Sequence, residues 1–374
     1  KTYKAKSFVS AGKSMIISPW WLLLVPLLCI SVKSGIYSYD TSRGDFGRNV
    51  NTGIVPCFIV FIILVLVSAY SVYNDAGIYI ANFNNLPDEL LWKNITSRSW
   101  GENPGFYLFQ VALKDFVSTD AFVFKFVSAI IIQFGILEFY RTYSCNLSLT
   151  LFIHIVLGLY MFTIPAMKQS MAISIGLLAF TDLVNKRWLA AGLILLLAAT
   201  IHPYIVMFLV IPFLNGDVWS KREMLILGTA VLLGFMFEKF VSVAINTTQS
   251  ITGDSYELET FTESAGSNIL RVLVYAIVPI MSYIYRNKIN TQVGIYTKRC
   301  ISLSVIPLAF YVIGTFGGAN FFGRLANYFA PFEFVAFTYI LSNIVPVRCR
   351  AVVKILAIIF LTVFYYFLVR KSFA

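Results

Sequence analysis

The sequence predicts an all-α polytopic membrane protein. Hydrophobic residues make up 58% of the 374 residues and charged residues only 13%, which is more apolar surface than a soluble domain of this length can bury. The apolar residues fall in long runs separated by short polar stretches. Because only helices satisfy every backbone group within one segment in lipid, we expect a single transmembrane domain over residues 1–374 with about 11–12 membrane helices.

Most runs approach or reach the roughly 20 residues that a membrane-crossing helix needs. The predicted spans are 15–32, 54–73, 120–140, 147–163, 168–185, 223–240, 268–285, 300–315, 325–343 and 352–369. The first run has no small-residue cleavage site after it and is expected to be a retained span. Residues 189–201 and 203–213 are each too short to span, and Pro203 removes a backbone donor between them. They predict a short re-entrant-like hairpin with His202 at its tip, near the outer leaflet.

The net charge of +11 favours membrane orientation over nucleic-acid binding, because most Lys and Arg lie in short loops beside spans. Residues 241–269 carry four acidic residues and no Lys or Arg, which predicts an extracytoplasmic loop. Residues 74–119 are then extracytoplasmic too, with 104–116 as an interfacial helix. Charge does not decide the direction of the first span or of the termini. The predicted cytoplasmic cations are Arg141, Lys186, Arg187, Lys221, Arg222, Arg286, Lys288, Lys298, Arg299, Arg348, Arg350 and Lys354.

Three cations stand at predicted outer ends of spans: Lys168, Arg271 and Arg324. Ionisable groups in membrane helices are costly, and cations grouped on one side with His202 predict a pocket for a lipid phosphate or diphosphate. The alternative is that each is an interfacial anchor that reaches toward lipid head groups.

Carboxylates in the first predicted outer loop are candidates for a general base. Asp75 stands four residues before Tyr79, so both would share one helix face, and Glu102 precedes Pro104. His202 is a third candidate base, and a cap or a loop salt bridge is the alternative role for each acid. The cysteines form no close pair, and no metal-binding or nucleotide-binding motif occurs, so we expect no disulfide framework, no cofactor and a metal-independent enzyme.

The order and spacing of these residues between about residue 70 and residue 330 resemble EpsG-like, Wzy-type polysaccharide polymerases. The matching positions are Asp75 with Tyr79, Glu102 before Pro104-Gly105-Phe106, Lys168-Gln169 followed by Ala172, His202, and Arg324 with Tyr328. The chain departs from the family pattern at Lys168, where Arg is usual, and at Pro203, where a small polar residue is usual.

The resemblance implies an arrangement similar to GT-C glycosyltransferases and an activity at the outer face of the bacterial plasma membrane. There it would join undecaprenyl-diphosphate-linked repeat units into capsule, exopolysaccharide or O-antigen. It implies Asp75, Glu102 or His202 as catalytic residues. Taken together with the predicted group of outer cations, it gives Lys168, Gln169, Arg271, Arg324 and Tyr328 as the expected diphosphate-binding residues. Implied partners are lipid-linked glycans and membrane lipids, with chain-length regulator and flippase proteins as further candidates, and no nucleic acid.

Three other functions stay open at this stage. Another polyprenyl-phosphate-dependent transferase could use the same scaffold, and only its substrate would distinguish it. A flippase for lipid-linked oligosaccharides should line a path through the whole membrane with polar groups, whereas the inner halves of these spans are mostly apolar. A non-catalytic partner of polymer export would keep its function without the candidate polar residues.

Overall fold

The computed structural model describes residues 18–30, 36–40, 45–49, 53–86, 103–214, 216–237, 242–243 and 266–373. Helices dominate this part of the chain, which confirms the predicted all-α polytopic class. One short antiparallel hairpin is an addition that the sequence did not predict. It pairs Ile36–Asp40 (β1) with Asp45–Asn49 (β2) in the register Ile36 to Asn49.

The first half of the described chain begins with a 3₁₀ helix over Pro19–Cys29. The α-helices that follow are Ile54–Tyr70 (α1), Ala76–Asn84 (α2), Pro104–Phe116 (α3), Ala121–Tyr143 (α4), Leu147–Val156 (α5), Leu159–Thr163 (α6), Met167–Leu178 (α7), Phe180–Val184 (α8) and Trp188–Ile201 (α9). A second 3₁₀ helix, Pro203–Phe213, follows α9 directly after His202. The chain therefore breaks at the predicted hairpin position, and α3 has the bounds predicted for an interfacial helix.

The second half continues with eight α-helices in the described residues. They are Lys221–Phe235 (α10), Ile269–Ile284 (α11), Arg286–Gln292 (α12), Ile295–Leu303 (α13), Val305–Gly314 (α14), Ala319–Ala326 (α15), Ala330–Tyr339 (α16) and Val347–Phe373 (α17). A π-helical turn, Ile340–Ile344, joins α16 to the segment before α17.

Three stretches of the described chain are long and apolar enough to cross a membrane by themselves: Ala121–Tyr143, Ile295–Gly314 and Val347–Arg370. A fourth results if α11 and α12, bent by 73°, count as one broken span. Several other apolar helices have only 10–17 residues. The predicted total of 11–12 membrane helices and the GT-C-like arrangement stay predictions.

Several predicted continuous spans are interrupted, among them 168–185, which is divided between α7 and α8. Residues 147–163 break at Gly158, whose φ of +81° is left-handed, so α5 and α6 meet at a kink. Residues 325–343 do not form one helix, because Pro331 lacks the N–H that a helix continuing from α15 would need. Arg324 consequently lies on the separate short helix α15 rather than at the start of the span that contains Glu333.

The basic loops converge at one end of the helix bundle. Lys298 pairs with Asp217 at 3.4 Å, and the Lys288 ammonium donates to the Ile344 carbonyl at 3.1 Å. The Asn185 side chain donates to the Tyr296 hydroxyl at 2.9 Å. We call this the basic end and the opposite one the cavity end. The clustering agrees with the sorting of cations predicted from the sequence.

The direction of the first apolar helix, which charge left open, follows from its packing. Tyr365, in the second half of α17, donates to the Pro19 carbonyl at 2.8 Å. Ser148, at the start of α5, donates to the Pro26 carbonyl at 2.9 Å. Since α17 leaves the basic end and α5 begins near it, the 3₁₀ helix Pro19–Cys29 starts toward the cavity end and runs toward the basic end.

Aromatic side chains fill the core between the two ends. Phe208 lies 6.5 Å from Tyr328 and 5.3 Å from Phe332, measured between ring centroids. The ring centroid of Phe180 lies 5.2 Å from that of Phe332 and 6.2 Å from that of Tyr296. All five rings are buried. The column runs from Tyr328 near the cavity to Tyr296 at the basic end, and such edge and tilted contacts favour close packing.

Candidate active site

A cavity of about 720 Å³ opens at the cavity end of the bundle. This volume falls within the range of about 300–1,000 Å³ that is usual for small-molecule sites. Polar side chains occupy one part of its lining, and apolar side chains occupy the rest. The polar lining comprises Tyr73, Asn74, Asp75, Arg271, Tyr311, Asn320, Arg324 and Asn327.

Asp75 and Arg324 form an ion pair inside this cavity. The Arg324 Nη2 lies 3.5 Å from the Asp75 Oδ2, and the two side chains are 59% and 52% exposed. The pair joins the chain that follows α1 to the short helix α15. Because both groups remain half open to solvent, an incoming ligand can compete for either partner.

Two buried lysines hold the segment that presents Asp75. The Lys125 ammonium donates to the Ser71 carbonyl at 2.5 Å, where α1 ends. The Lys114 ammonium donates to the Leu86 carbonyl at 2.5 Å and thereby caps the carboxyl end of α2. Asn74 lies between these anchors with a φ of +47° and lines the cavity. These contacts fix the turn that carries Asp75 in place.

Arg271 reaches the same cavity from the first turn of α11. The Asn268 side chain accepts from the Leu270 N–H at 2.9 Å and caps this helix. The Ser267 N–H donates to the Gly314 carbonyl at 2.7 Å and ties the start of α11 to the end of α14. The Arg271 guanidinium lies 5.8 Å from the ring centroid of Tyr311, which also lines the cavity. The stacking orients the charge without neutralising it.

Lys168 and Gln169 flank the cavity at the start of α7. Gln169 is buried, and its amide donates to the Arg324 carbonyl at 2.6 Å. Burial raises the pKa of the Tyr79 phenol to about 12, and the neighbouring Arg324 guanidinium opposes this rise. Gln169 therefore positions the backbone of Arg324, and Tyr79 stays a neutral phenol beside the charged groups.

His202 and Tyr328 form a hydrogen-bonded pair on the other flank. The Tyr328 hydroxyl and the His202 Nδ1 are 2.6 Å apart. The positive charges of Lys168 and Arg324 both act on this imidazole. Two residues earlier, Thr200 contacts Gly105, where an added Cβ would lie 2.1 Å from the threonine hydroxyl. The glycine thus allows α3 to pack closely against α9 next to His202.

The structure brings together all but one of the site residues predicted from the sequence. Among them, Asp75, Arg271 and Arg324 line the cavity, and Lys168, Gln169, His202 and Tyr328 surround it through the contacts above. Glu102 lies outside the described residues. The catalytic and diphosphate-binding roles assigned to these residues stay predictions.

Sequence reasoning missed the residues that support the site. Lys114 and Lys125 are buried and hydrogen-bonded to backbone carbonyls, and Asn320 and Asn327 line the cavity. The position of Lys125 inside the predicted span 120–140 could have indicated its supporting role, because a charge within a span needs a polar partner. The asparagines had no comparable signal in the sequence.

The sequence profile of the EpsG family matches residues 54–374. The chain belongs to the EpsG family. This EpsG-family match covers α1 to α17 and therefore every described residue of the candidate site. Comparison with curated proteins and with solved structures gives no match. Membership in the EpsG family indicates a membrane protein with a polysaccharide polymerase role of the glycosyltransferase type.

Proposed function

We propose that this EpsG-family protein joins undecaprenyl-diphosphate-linked oligosaccharide repeat units into a surface polysaccharide. The product would be a capsule, exopolysaccharide or O-antigen chain. The reaction takes place in the cavity, at the outer face of the bacterial plasma membrane. The observation that carries the proposal is the Asp75–Arg324 pair, which shares one cavity with Arg271.

The sorting of charge between the two ends supports this orientation. Basic loops gather at the basic end, which the positive-inside rule assigns to the cytoplasm. The cavity lies at the other end and would face outward. Lipid-linked glycans and membrane lipids are then within reach of the site. Chain-length regulator and flippase proteins are further candidate partners.

The proposed reaction is a glycosyl transfer. A hydroxyl of the acceptor sugar attacks the anomeric carbon of the donor, forming a carbon–oxygen bond, and the bond from that carbon to the diphosphate oxygen breaks. A carboxylate takes the hydroxyl proton, and undecaprenyl diphosphate leaves with the bonding electron pair. Arg324, Arg271 and Lys168 stabilise the charge that develops on the diphosphate. This step needs no metal ion if the three cations suffice.

Asp75 is a candidate base whose carboxylate pairs directly with one of the cations, Arg324. A diphosphate donor competes for the same guanidinium, so donor binding releases the Asp75 carboxylate to accept a proton. His202 interacts with Tyr328, and this hydrogen bond suits an imidazole that donates its other N–H to a phosphate. Glu102 stays the alternative base.

The decisive experiment supplies purified protein in lipid nanodiscs with synthetic undecaprenyl-diphosphate-linked repeats. We expect a ladder of polymers with the wild-type protein. Arg324→Ala should abolish the ladder, whereas Arg286→Ala, which removes an exposed arginine at the start of α12, should leave it unchanged. A normal ladder from Arg324→Ala at equal protein level would reject the role of this residue.

The same experiment separates the competing functions. Transfer of single sugars from a polyprenyl monophosphate donor, without any ladder, would identify the other type of polyprenyl-phosphate-dependent transferase. Movement of lipid-linked repeats across the bilayer without polymer would identify a flippase. The buried aromatic column between Tyr328 and Tyr296 disfavours the flippase, since it fills the core where a polar path would run.

A further inference from the structure

The cavity has a second wall of a different chemical character. Besides the arginines, it is lined by the apolar residues Leu157, Met161, Phe162 and Leu368, with Gly158 between the first two. Leu157 and Gly158 lie at the kink between α5 and α6, Met161 and Phe162 lie on α6, and Leu368 belongs to α17. One cavity therefore offers both cations and aliphatic and aromatic surface.

Gly158 allows this apolar wall to close. Its φ of +81° is left-handed, and an added Cβ would lie 2.7 Å from the Leu368 Cδ2. The absence of a side chain leaves room for the end of the Leu368 side chain beside the kink. The wall is thus formed by a specific close contact between two chain segments.

The apolar wall lies at the edge of the helix bundle. Of the three long spans in the described residues, α17 is the least covered, with 22% of its apolar window buried against 56% and 78% for the others. Tyr366 and Phe367, next to Leu368, are 47% and 55% exposed. In a membrane these side chains face acyl chains, so the apolar end of the cavity adjoins the lipid phase.

We propose that this wall binds the first isoprene units of a polyprenyl diphosphate whose phosphates bind Arg271 and Arg324. The proposal rests on the proposed function and adds the direction in which the substrate lies. The lipid tail would leave the cavity past Leu368 toward the bilayer. The sugar would then point to the remaining side, where Tyr73, Asn74 and Asp75 line the cavity.

The wall acts mainly by orientation. Acyl chains are as apolar as Leu or Met side chains, so moving the tail from the bilayer to the wall brings little hydrophobic gain. A polar side chain in the wall, in contrast, would lose its hydrogen bonds when the tail covers it. The natural lining lets the diphosphate reach the cations while the tail stays in apolar surroundings.

Equilibrium binding of two probes to the full chain in nanodiscs tests the proposal. The probes are undecaprenyl diphosphate, which has the tail, and inorganic diphosphate, which has none. Met161→Gln keeps the length of the side chain and makes it polar. We expect it to weaken undecaprenyl diphosphate binding about tenfold and to leave inorganic diphosphate binding within about twofold. Leu368→Gln, on the exposed helix α17, should behave in the same way if Met161→Gln folds poorly.

Two matched variants serve as controls. Met161→Leu keeps the wall apolar and should bind both probes as the wild-type does. Phe367→Gln introduces the same amide on the lipid-facing side of α17 and should change neither affinity. Unchanged undecaprenyl diphosphate binding in both Gln variants of the wall, or equal weakening of both probes, would overturn the proposal.

The outcome is distinguishable from failure of the proposed function. Probe binding requires no polymerisation. Tail-dependent binding by a protein that makes no polymer would therefore support tail binding by the apolar wall and reject the proposed polymerase function. A polymer ladder from wild-type protein together with unaltered binding in both wall variants would support the polymerase and reject the wall.

Discussion

Replacing Asp75 by Asn distinguishes two roles that Asp75 can have beside Arg324, as a general base or as a residue that orients the guanidinium. If Asp75 is the general base, the substitution slows the chemical step and also frees Arg324 for the donor. If Asp75 only orients Arg324, the substitution weakens donor binding. The two roles therefore predict opposite changes in the affinity for the diphosphate donor.

The magnitude follows from the exposure of the pair. At 3.5 Å and with both side chains more than half exposed, the interaction belongs to the class of ion pairs worth about 0.2–1 kcal/mol. Removing the competing carboxylate should then tighten binding of undecaprenyl diphosphate by about 1.4- to 5-fold. The rate of a single turnover should fall about 10²- to 10⁴-fold, as expected for loss of a general base.

The assay combines equilibrium binding of undecaprenyl diphosphate with single-turnover transfer in nanodiscs. Asp182→Asn is the matched control, because Asp182 pairs with Arg187 at 2.7 Å at the predicted cytoplasmic end of the span 168–185. It should change neither the affinity nor the rate. Weaker donor binding by Asp75→Asn would refute the competition between the carboxylate and the diphosphate. A single-turnover rate within about tenfold of wild type would refute Asp75 as the base.

Three further predictions follow from the same site. Lys114→Met should lower the free energy of unfolding by about 1–3 kcal/mol, because it leaves part-buried carbonyls such as that of Leu86 without their donor, and an unchanged thermal midpoint would contradict the capping role. Glu102→Gln should retain most of the single-turnover rate if Asp75 is the base, and a loss as large as that of Asp75→Asn would transfer the role to Glu102. Extensive treatment with a metal chelator should leave the ladder unchanged, and recovery of lost activity by added Mg²⁺ or Mn²⁺ would contradict the metal-independent mechanism.

The sequence predicts the fold class and the grouping of the site because both depend on charge in an apolar environment. Ionisable residues are costly within an apolar span. Lys168, Arg271 and Arg324 could therefore be assigned to span ends on one side of the membrane. Pro203 likewise marks the break after α9, since its ring excludes a continuous helix. These inferences depend on residue type and position alone.

Other features depend on tertiary contacts that no local pattern encodes. Charge could not orient the first apolar helix, and the contacts of Pro19 and Pro26 with distant helices decide it. The apolar run 325–343 predicts one continuous span, whereas the chain breaks before α16, which has Pro331 in its first turn. The supporting hydrogen bonds of Lys114 join residues 28 or more positions apart, and their partners are backbone carbonyls, which carry no residue-specific signal.

The charge around the cavity links the fold to the proposed chemistry. Among the described residues that line the cavity, Arg271 and Arg324 are accompanied by one carboxylate, Asp75, so positive charge is in excess there. A donor diphosphate gains one negative charge when its bond to the sugar breaks. If Asp75 takes the acceptor proton in the same step, its carboxylate becomes neutral and the positive excess around the leaving group grows by one. Proton transfer to Asp75 would therefore strengthen stabilisation of the diphosphate as its charge develops, which a base remote from Arg324 could not do.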